Sequence, residues 1–548
     1  MATRRSEVSI DHERIAALVL ETYLKHLPPR GAKPGIKSNN RLEWTVLAAF
    51  VLSYPFPQQD SQYAVVSLAT GLKCLPCASL PPNGDVLHDQ HAEVLARRGA
   101  RQWLLQRLQE EVKAGAASGP TLFEQVESDE SARRWKLKAG VRLHLYVSTL
   151  PCGDASNKLL DFQRAAQDQI AGRSDVLTTA ELLELELQHS FEAVGGGSGQ
   201  SSVVRGRASS SHSQATNPSP GSLRTKPGRP DSPPSICMSC SDKIALWNAP
   251  GIGMQGSLLS LLLDPIYVSS ITICDHPVRH IFPTFPTSSV ADAESSDQQR
   301  EALKEVLAKD CERALQRARP ADDGNAIAVG WSTTPFPDSK EAQMEKAWST
   351  FESQASGLDP ADHHSVFRAN HEPESCPNSV LFISHASLEP GKGKIENLAT
   401  GTKMGAPTKR PKSKEGQQSE PLKPPARSGV CRLSYFQSFI SAYDSMMGTA
   451  MRTESMLYSD AKAGTFGEGT RAYRRRKDGL LGRKGDVAVE AFLRGARNGT
   501  GIKDSAQPQD VPPVSDSERT FNGWLRTPDT LSRFDLDGRT FTHSHRRN

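Results

Sequence analysis

Three short segments of this 548-residue chain carry residue types that bind transition metals. They are His91-Ala92-Glu93, Pro151-Cys152-Gly153 and Ser239-Cys240-Ser241-Asp242. One imidazole and two thiolates form an attested ligand set for a catalytic zinc ion, which keeps a fourth position for water. Glu93 follows His91 by two residues, so it would lie near the ion without binding it and could carry a proton. The sequence predicts a Zn²⁺ site made of His91, Cys152 and Cys240, with Glu93 as the catalytic residue.

A zinc-activated water beside a proton-carrying glutamate is the chemistry of nucleobase deaminases. Their common signature is P-C-x-x-C, but Cys152 has no second cysteine at that spacing. Cys240 can replace it, because the free energy of closing a long loop grows only logarithmically with length.

Two simpler interpretations of these residues stay open. An isolated His-x-Glu is more often a satisfied histidine followed by an acid that complements a helix dipole. Alternatively, Cys74-x-x-Cys77 and Cys237-x-x-Cys240 could form a structural four-cysteine zinc site. The second interpretation would leave Cys152 and His91 without a role.

The periodicity of apolar residues indicates the elements that position these segments. Helical spacing predicts a first helix over 10–27 and a second that follows the loop 85–90 and carries Ala96, Ala100 and Trp103. The run 44–53 is apolar, 63–68 reads as a strand, and 141–147 alternates as a strand does. This alternation of helices and strands predicts an α/β layered core, a central sheet flanked by helices.

Composition predicts that polar insertions dilute this core. The hydrophobic fraction is 37%, and Gly, Ser and Pro dominate 195–235, which we predict to be a disordered insertion. Further flexible insertions are predicted at 288–299, 354–373, 404–428 and 463–517.

Charge, cysteine content and hydropathy exclude several classes of protein. The net charge of +4 argues against a histone-like polycation, and nine cysteines, an odd number, argue against a disulfide framework. No run approaches the ~20 apolar residues of a membrane span. We therefore expect no membrane association and an intracellular protein of the cytoplasm, the nucleus or both.

Longer motifs around the predicted ligands resemble the RNA adenosine deaminase (A-to-I editase) domain family. They are HAEVLARR from His91, STLPCGD from Ser148, MSCSDKIA from Met238 and QGSLL from Gln255. The resemblance is clearest over 44–273, and weaker matches continue as far as Phe534. It implies one editase domain over 1–548, with a cytidine-deaminase-like α/β core and an appended helical region.

The resemblance also implies a substrate. Double-stranded-RNA editors of the family carry separate RNA-binding domains before the deaminase domain, whereas the deaminase-like pattern here begins near residue 1. We therefore expect the tRNA-specific branch, with conversion of adenosine to inosine at position 37 of alanine tRNA. Editing of structured mRNA or double-stranded RNA, a non-catalytic RNA-binding scaffold, and deamination of free nucleosides or cytosine are the alternatives. No obligate protein partner is evident.

Members of this family bury an inositol hexakisphosphate, and residues that match its shell are present here. They are Arg97, Arg98, Lys243, Trp247, Gln255, Tyr458 and Lys462. Leu246, Arg526 and His88 depart from the family pattern around this site.

Lys73 matches a family lysine near the substrate backbone. The basic runs 409–414 and 474–477 could contact tRNA phosphates, act as nuclear-import signals or be solvated loops.

Overall fold

The fold was obtained as a computed structural model that describes most of the chain. The described residues are 10–56, 59–114, 121–126, 133–170, 172–173, 176–192, 203–205, 220–227, 232–282, 290–320, 326–355, 357–359, 362–389, 391–411, 420–449, 456–481, 520–521 and 523–540.

The strands are numbered in chain order. They are β1 Glu43–Trp44, β2 Leu47–Phe56, β3 Gln59–Thr70, β4 Phe123–Val126, β5 Arg134–Leu137, β6 Arg142–Val147, β7 Val203–Arg205, β8 Leu223–Thr225, β9 Val268–Cys274, β10 Ala328–Ser332, β11 Glu374–Ser375, β12 Ser379–Ser384, β13 Gly393–Ala399 and β14 Thr402–Lys403.

The α-helices are numbered in the same way. They are α1 His12–Glu21, α2 Ala92–Ala114, α3 Asn157–Ile170, α4 Thr179–Glu192, α5 Cys240–Asn248, α6 Gly256–Leu259, α7 His276–Arg279, α8 Val290–Gln316, α9 Lys340–Gln354, α10 His363–Asn370, α11 Arg432–Met447, α12 Tyr458–Ala463 and α13 Glu468–Leu481.

An eight-stranded mixed sheet forms the centre of the fold, in the order β10-β9-β6-β2-β3-β12-β13-β14. Strands β10, β9 and β6 run parallel, and each of the remaining neighbours pairs antiparallel. Val147 of β6 pairs with Ile273 of β9, so these two strands end at the same edge of the sheet. The loops that follow them therefore begin close together.

Helices cover both faces of this sheet, as strand β2 illustrates. Ala48, Phe50 and Leu52 belong to the larger core cluster, which contains α2. The alternate residues of β2 belong to a second cluster with α1, and all of these side chains are fully buried. A strand buried on both faces reads as a continuous apolar run, which is why 44–53 shows no polar alternation. The predicted α/β core, a sheet flanked by helices, is confirmed.

Parts of the predicted insertions are ordered, and there the prediction is wrong. Within 195–235, strands β7 and β8 form a parallel pair, and residues 223–226 are buried. Within 288–299, α8 begins at Val290, and within 354–373 α10 packs Phe367 into a small aromatic cluster. Composition did not predict this order because each segment contributes few apolar residues, and those in the core, such as Leu223 and Phe367, pack against distant elements. The intervening residues 206–219 lie outside the described part of the chain.

Two further predicted insertions also contain built structure. Within 404–428, Arg410 forms a bidentate pair with the buried carboxylate of Asp85. Within 463–517, helix α13 buries Tyr473, Leu480 and Leu481, whose spacing is helical. The many arginines between them hid this pattern. Residues 412–419 and 482–519 are outside the described residues.

Among the described residues, no helix combines the length and the apolar character needed to cross a membrane.

Candidate functional site

The three predicted metal ligands come together at the edge where β6 ends. His91 precedes α2, Cys152 lies in the loop after β6, and Cys240 is the first residue of α5. The Nδ1 atom of His91 lies 3.9 Å from the Sγ atom of Cys152 and 3.7 Å from that of Cys240. The three ligand atoms all lie within 4.8 Å of one another, a spacing at which they could hold a metal ion.

Backbone contacts lock the two cysteine segments together. The Ser241 hydroxyl lies 3.0 Å from the carbonyl oxygens of both Pro151 and Cys152, and it accepts a hydrogen bond from the Ala155 amide. The Ser241 amide also donates to the Cys152 carbonyl, at 3.0 Å. Ser239 caps α5 by accepting a hydrogen bond from the Asp242 amide. These contacts hold the segments that carry Cys152 and Cys240 side by side.

Gly153, next to Cys152, is required by this close approach. Its φ is +108°, and a Cβ atom there would collide with the side chain of Ser239. We expect Gly153→Ala to lower stability by about 1–3 kcal/mol and to reduce metal content, measured by thermal unfolding and elemental analysis. Gly172→Ala is the matched control, because Gly172 also has a positive φ but faces open space. Equal metal content in both variants would contradict this prediction.

Glu93 lies in the first turn of α2, buried at 4% exposure and outside the group of metal ligands. Burial, followed by the charge of Cys152, raises the pKa of the Glu93 carboxyl. The neighbouring Cys240, together with Lys226 and His91, lowers the pKa of the Cys152 thiol, which favours the thiolate that binds metals. A carboxyl group of raised pKa beside a metal site is equipped to take up and release a proton.

A buried ion-pair network lies directly behind the ligands. The Oδ2 atom of Asp89 contacts the Lys226 ammonium at 2.9 Å and also pairs with Lys243. Lys226 in turn lies 3.1 Å from the Sγ atom of Cys240, and Oδ1 of Asp89 accepts the His91 amide at 3.0 Å. Although burial opposes ionisation, the two lysines hold the pKa of Asp89 well below its usual range. Neither Asp89 nor Lys226 was predicted as a site residue, and Lys226 lies in the predicted disordered insertion.

The structure contradicts the alternative four-cysteine site. Cys240 belongs to the group with His91, and no metal group of the described residues contains Cys74, Cys77 or Cys237. The Cys74 thiol instead donates to Ser235, and the Cys237 thiol donates to the carbonyl of His88.

A cavity of about 580 Å³ lies on the other side of Asp89 and Lys243. Five of the seven residues that the family resemblance assigned to an inositol phosphate line it: Arg97, Arg98, Lys243, Trp247 and Lys462. The Arg97 guanidinium lies over the Trp247 ring, 4.4 Å from its centroid.

Two residues of that predicted set lie elsewhere. The side-chain amide of Gln255 is used by the backbone, since it accepts from the Ile266 amide and donates to the Ile252 carbonyl, each at 3.0 Å. Gln255 is not among the residues that line the cavity, and its contact with the ligand stays a prediction. Tyr458 lines a small adjoining cavity with Arg98 and stacks on Phe534.

Cations dominate the cavity lining, and the sequence analysis did not assign many of them to this site. The additional ones are Arg101, Arg432, Arg474, Lys477, Arg526 and Arg533. The carboxylates that line it are Asp89, Asp460, Asp478 and Asp529. The departures from the family pattern also face the cavity, as Leu246 and His88 line it and Arg526 pairs with Asp478 at 2.6 Å.

Burial and mutual repulsion lower the pKa values of the cations that line this cavity. Burial, followed by the charge of Arg101, lowers the pKa of Arg97 to about 9, and burial lowers that of Arg98 to about 10. Burial with neighbouring cations brings the pKa of Lys477 to about 7 and that of Lys462 well below its usual value. The Nε atom of Arg97 has no hydrogen-bond partner among the described residues. Such a lining lacks the negative charge that would neutralise it.

Lys73 lies next to the metal ligands, on the outside of the fold. Its backbone carbonyl accepts a hydrogen bond from the Gln90 amide, beside His91, and its exposed ammonium donates to the Ser375 hydroxyl at 2.8 Å.

Residues 67–335 match the model of the adenosine-deaminase (editase) domain. The chain is 34% identical over 267 residues to tRNA-specific adenosine deaminase 1 of Drosophila melanogaster, covering 48% of this chain and 55% of that protein. It is 33% identical over 246 residues to tRNA-specific adenosine deaminase 1 of Schizosaccharomyces pombe, covering 44% and 53%. The double-stranded RNA-specific editase Adar of Drosophila melanogaster is 29% identical over 264 residues, covering 48% and 33%.

The chain thus spans about half the length of the first two of these relatives. All three predicted ligands and Glu93 fall inside the matched residues. The similarity to the adenosine-deaminase (editase) domain family thus covers residues 67–335, which contain the whole predicted metal group.

Proposed function

We propose that this protein is a zinc-dependent hydrolase that converts adenosine to inosine in tRNA. The observation that carries the proposal is the group formed by His91, Cys152 and Cys240. The buried carboxyl of Glu93 lies beside this group but is not one of its members. One imidazole and two thiolates suit Zn²⁺, because thiolates favour a soft or borderline cation over Mg²⁺ or Ca²⁺. Bound there, Zn²⁺ would lower the pKa of a water molecule towards 7.

Glu93 performs the proton transfers in this proposal. Its carboxylate accepts a proton from the attacking water as the new C–O bond forms at C6 of adenine, and it then protonates the departing amine. The second proton of the water ends on N1 as the oxygen on C6 becomes a carbonyl, the bond between C6 and the amine breaks, and inosine and ammonia are the products. Lys73, exposed beside the His91 loop, holds the substrate backbone through its positive charge.

The substrate we propose is alanine tRNA, with position 37 as the target. The adenine must leave its stack before C6 can reach a buried carboxyl, and a base in a single-stranded loop is the least costly to extrude. Two relatives that carry the name tRNA-specific adenosine deaminase 1 favour tRNA over a long duplex. A tRNA substrate would put the protein in the cytoplasm, the nucleus or both.

The test compares two RNA substrates for the same purified, zinc-loaded protein. One is an unmodified alanine tRNA transcript and the other is a long RNA duplex, and inosine is measured by nuclease digestion and mass spectrometry. Inosine confined to position 37 of the tRNA is expected. Inosine in the duplex alone would favour editing of structured RNA, and none in either, from folded and zinc-bound protein, would favour an RNA-binding scaffold.

We propose that the cationic cavity binds inositol hexakisphosphate. A polyanion with several phosphates matches a lining in which Arg97, Lys462 and Lys477 are half-buried and carboxylates are too few to neutralise the cations. The bound anion would stabilise the fold because α2, α12 and α13 all contribute cations to the cavity. Phosphorus analysis of the purified protein tests for its presence.

We expect the affinity for inositol hexakisphosphate to fall as the pH rises from 7 towards 9. Burial, then Arg97, Arg474 and Arg526, bring the pKa of Lys477 to about 7, although the charge of Asp478 acts in the opposite direction. In the protein without ligand, the ammonium group of Lys477 therefore loses its proton in this pH range. The anion raises this pKa, and binding then takes up a proton, which weakens binding by up to about tenfold per pH unit.

Equilibrium dialysis with labelled inositol hexakisphosphate measures this dependence. Lys477→Arg is the control, since a guanidinium stays charged across the range and should flatten the profile. An affinity of the original protein that does not change with pH would contradict the prediction.

A further inference from the structure

A second group of metal-binding side chains lies apart from the ligands described above. It consists of His276, His280 and Glu345, whose ligand atoms all lie within 4.8 Å of one another. The Nε2 atoms of both histidines face the same oxygen of Glu345, at 3.1 Å for His276 and 2.9 Å for His280. The two imidazole rings tilt towards each other with their centroids 5.1 Å apart.

Two elements present these side chains at a regular spacing. His276 begins α7, directly beyond the end of β9, and His280 follows it by four residues, on the same face of the turn. Glu345 lies in the second turn of α9, and Glu341 precedes it by four residues. The charge of Glu341 acts on His280, so it also lies close to the group. Two residue pairs at helical spacing thus converge from different elements.

Hydrogen bonding among the described residues leaves one buried ring nitrogen of this group without a partner. Each imidazole can donate to Glu345 only if its Nε2 atom carries a proton, and both would then address one oxygen atom. His276 is buried, and its Nδ1 atom has no partner within the described part of the chain, so the contact through Nε2 is what holds the ring. A cation between the three ligand atoms would use both ring lone pairs and the carboxylate charge together.

We propose that His276, His280 and Glu345 bind a second divalent transition-metal ion, of the zinc class, through nitrogen and oxygen ligands. Imidazole ligands select Zn²⁺, Co²⁺, Ni²⁺ or Cu²⁺ over Mg²⁺ and Ca²⁺, and Glu341 or water can complete the shell. The absence of a thiolate in this group distinguishes it from the group that contains Cys152 and Cys240.

The role of this ion is to tie α9 to the sheet. His276 and His280 are fixed to β9 through the chain itself, whereas α9 packs on the short strand β1 and on α10 through a small aromatic cluster. Glu345 is 58% exposed, so without an ion this carboxylate is a weak anchor. A metal ion bound from both sides would join the two elements by coordination bonds.

Metal content measured on the full chain tests the proposal. We expect His280→Gln and Glu345→Gln each to bind about one Zn²⁺ per chain less than the original protein after dialysis against dilute zinc. Both positions are partly exposed, so the variants should fold. His385→Gln, a change at an exposed histidine outside the group, should keep the original content. The readout is the difference in zinc content between each variant and the original protein, so it is independent of the Cys152 site and of deaminase activity.

Cobalt spectroscopy adds an independent test of the ligands. Chelator-treated protein titrated with Co²⁺ should show thiolate charge-transfer absorption from the Cys152 and Cys240 site, and a separate d–d absorption without a thiolate contribution. His280→Gln should remove the second absorption and leave the first. Equal zinc content and unchanged cobalt spectra in the original protein, His280→Gln and Glu345→Gln would overturn the proposal.

Discussion

We expect the replacement of Glu93 by glutamine to lower the rate of inosine formation on the alanine tRNA transcript by about 10²- to 10⁴-fold, the usual contribution of a general acid–base group. The amide keeps the size of the carboxyl group but can neither accept the proton of the attacking water nor deliver it to the amine. Glu93 is buried and lies outside the metal ligands, so zinc content should not change. Single-turnover kinetics with excess protein measure this effect on the chemical step.

The matched control is Glu181→Gln, at an exposed glutamate in the first turn of α4. Its rate should equal that of the original protein. A Glu93→Gln variant that keeps its zinc and retains a rate within threefold would exclude Glu93 as the proton carrier. Loss of zinc in Glu93→Gln would instead show that the carboxyl group supports the metal site.

Asp89→Asn is expected to lower the free energy of unfolding by about 3–5 kcal/mol, because it breaks a buried ion pair from one side. The change removes the carboxylate that the ammonium groups of Lys226 and Lys243 share, and Lys226 is almost completely buried. Asp89 also accepts the His91 amide, so the metal content should fall as well. Urea denaturation measures the stability, and elemental analysis measures the metal.

Asp264→Asn is the control for this change. Asp264 pairs with Arg134 at 2.7 Å, but both side chains are 34% exposed, so a loss of no more than about 1 kcal/mol is expected. Equal losses in the two variants would mean that the network around Asp89 contributes no more than a surface ion pair. A stable Asp89→Asn variant with full zinc content would contradict the prediction directly.

The predicted metal ligands illustrate what could be inferred from local sequence. His91, Glu93, Cys152 and Cys240 each lie in a short motif at the start of a helix or the end of a strand, where the chemical type of the residue and its local context suffice. The apolar runs at 44–53 and 141–147 likewise predict the central strands, because a strand buried on one or both faces must be apolar on those faces. Both inferences depend on neighbours in the chain.

The cavity illustrates what local sequence could not show. Lys477 and Arg474 form part of a basic run that resembles a solvated loop, but Lys477 is half-buried and both line the cavity with Arg97. Lys226 sits in a segment rich in Gly, Ser and Pro, yet it contacts both Asp89 and Cys240. A charged side chain carries no sign of its burial, because burial depends on partners far away in the sequence.

The sequence by itself therefore determined which residues are proposed as metal ligands and proton carrier, and the alternation of helices and strands that carries them. The tertiary structure alone decided which distant charges share one interior, and it brought His276 and His280 against Glu345 from separate elements. The physical reason is the range of the interactions. Metal chemistry and apolar periodicity are properties of neighbouring residues, whereas the pKa and burial of a charge are set by groups that only the folded chain brings together.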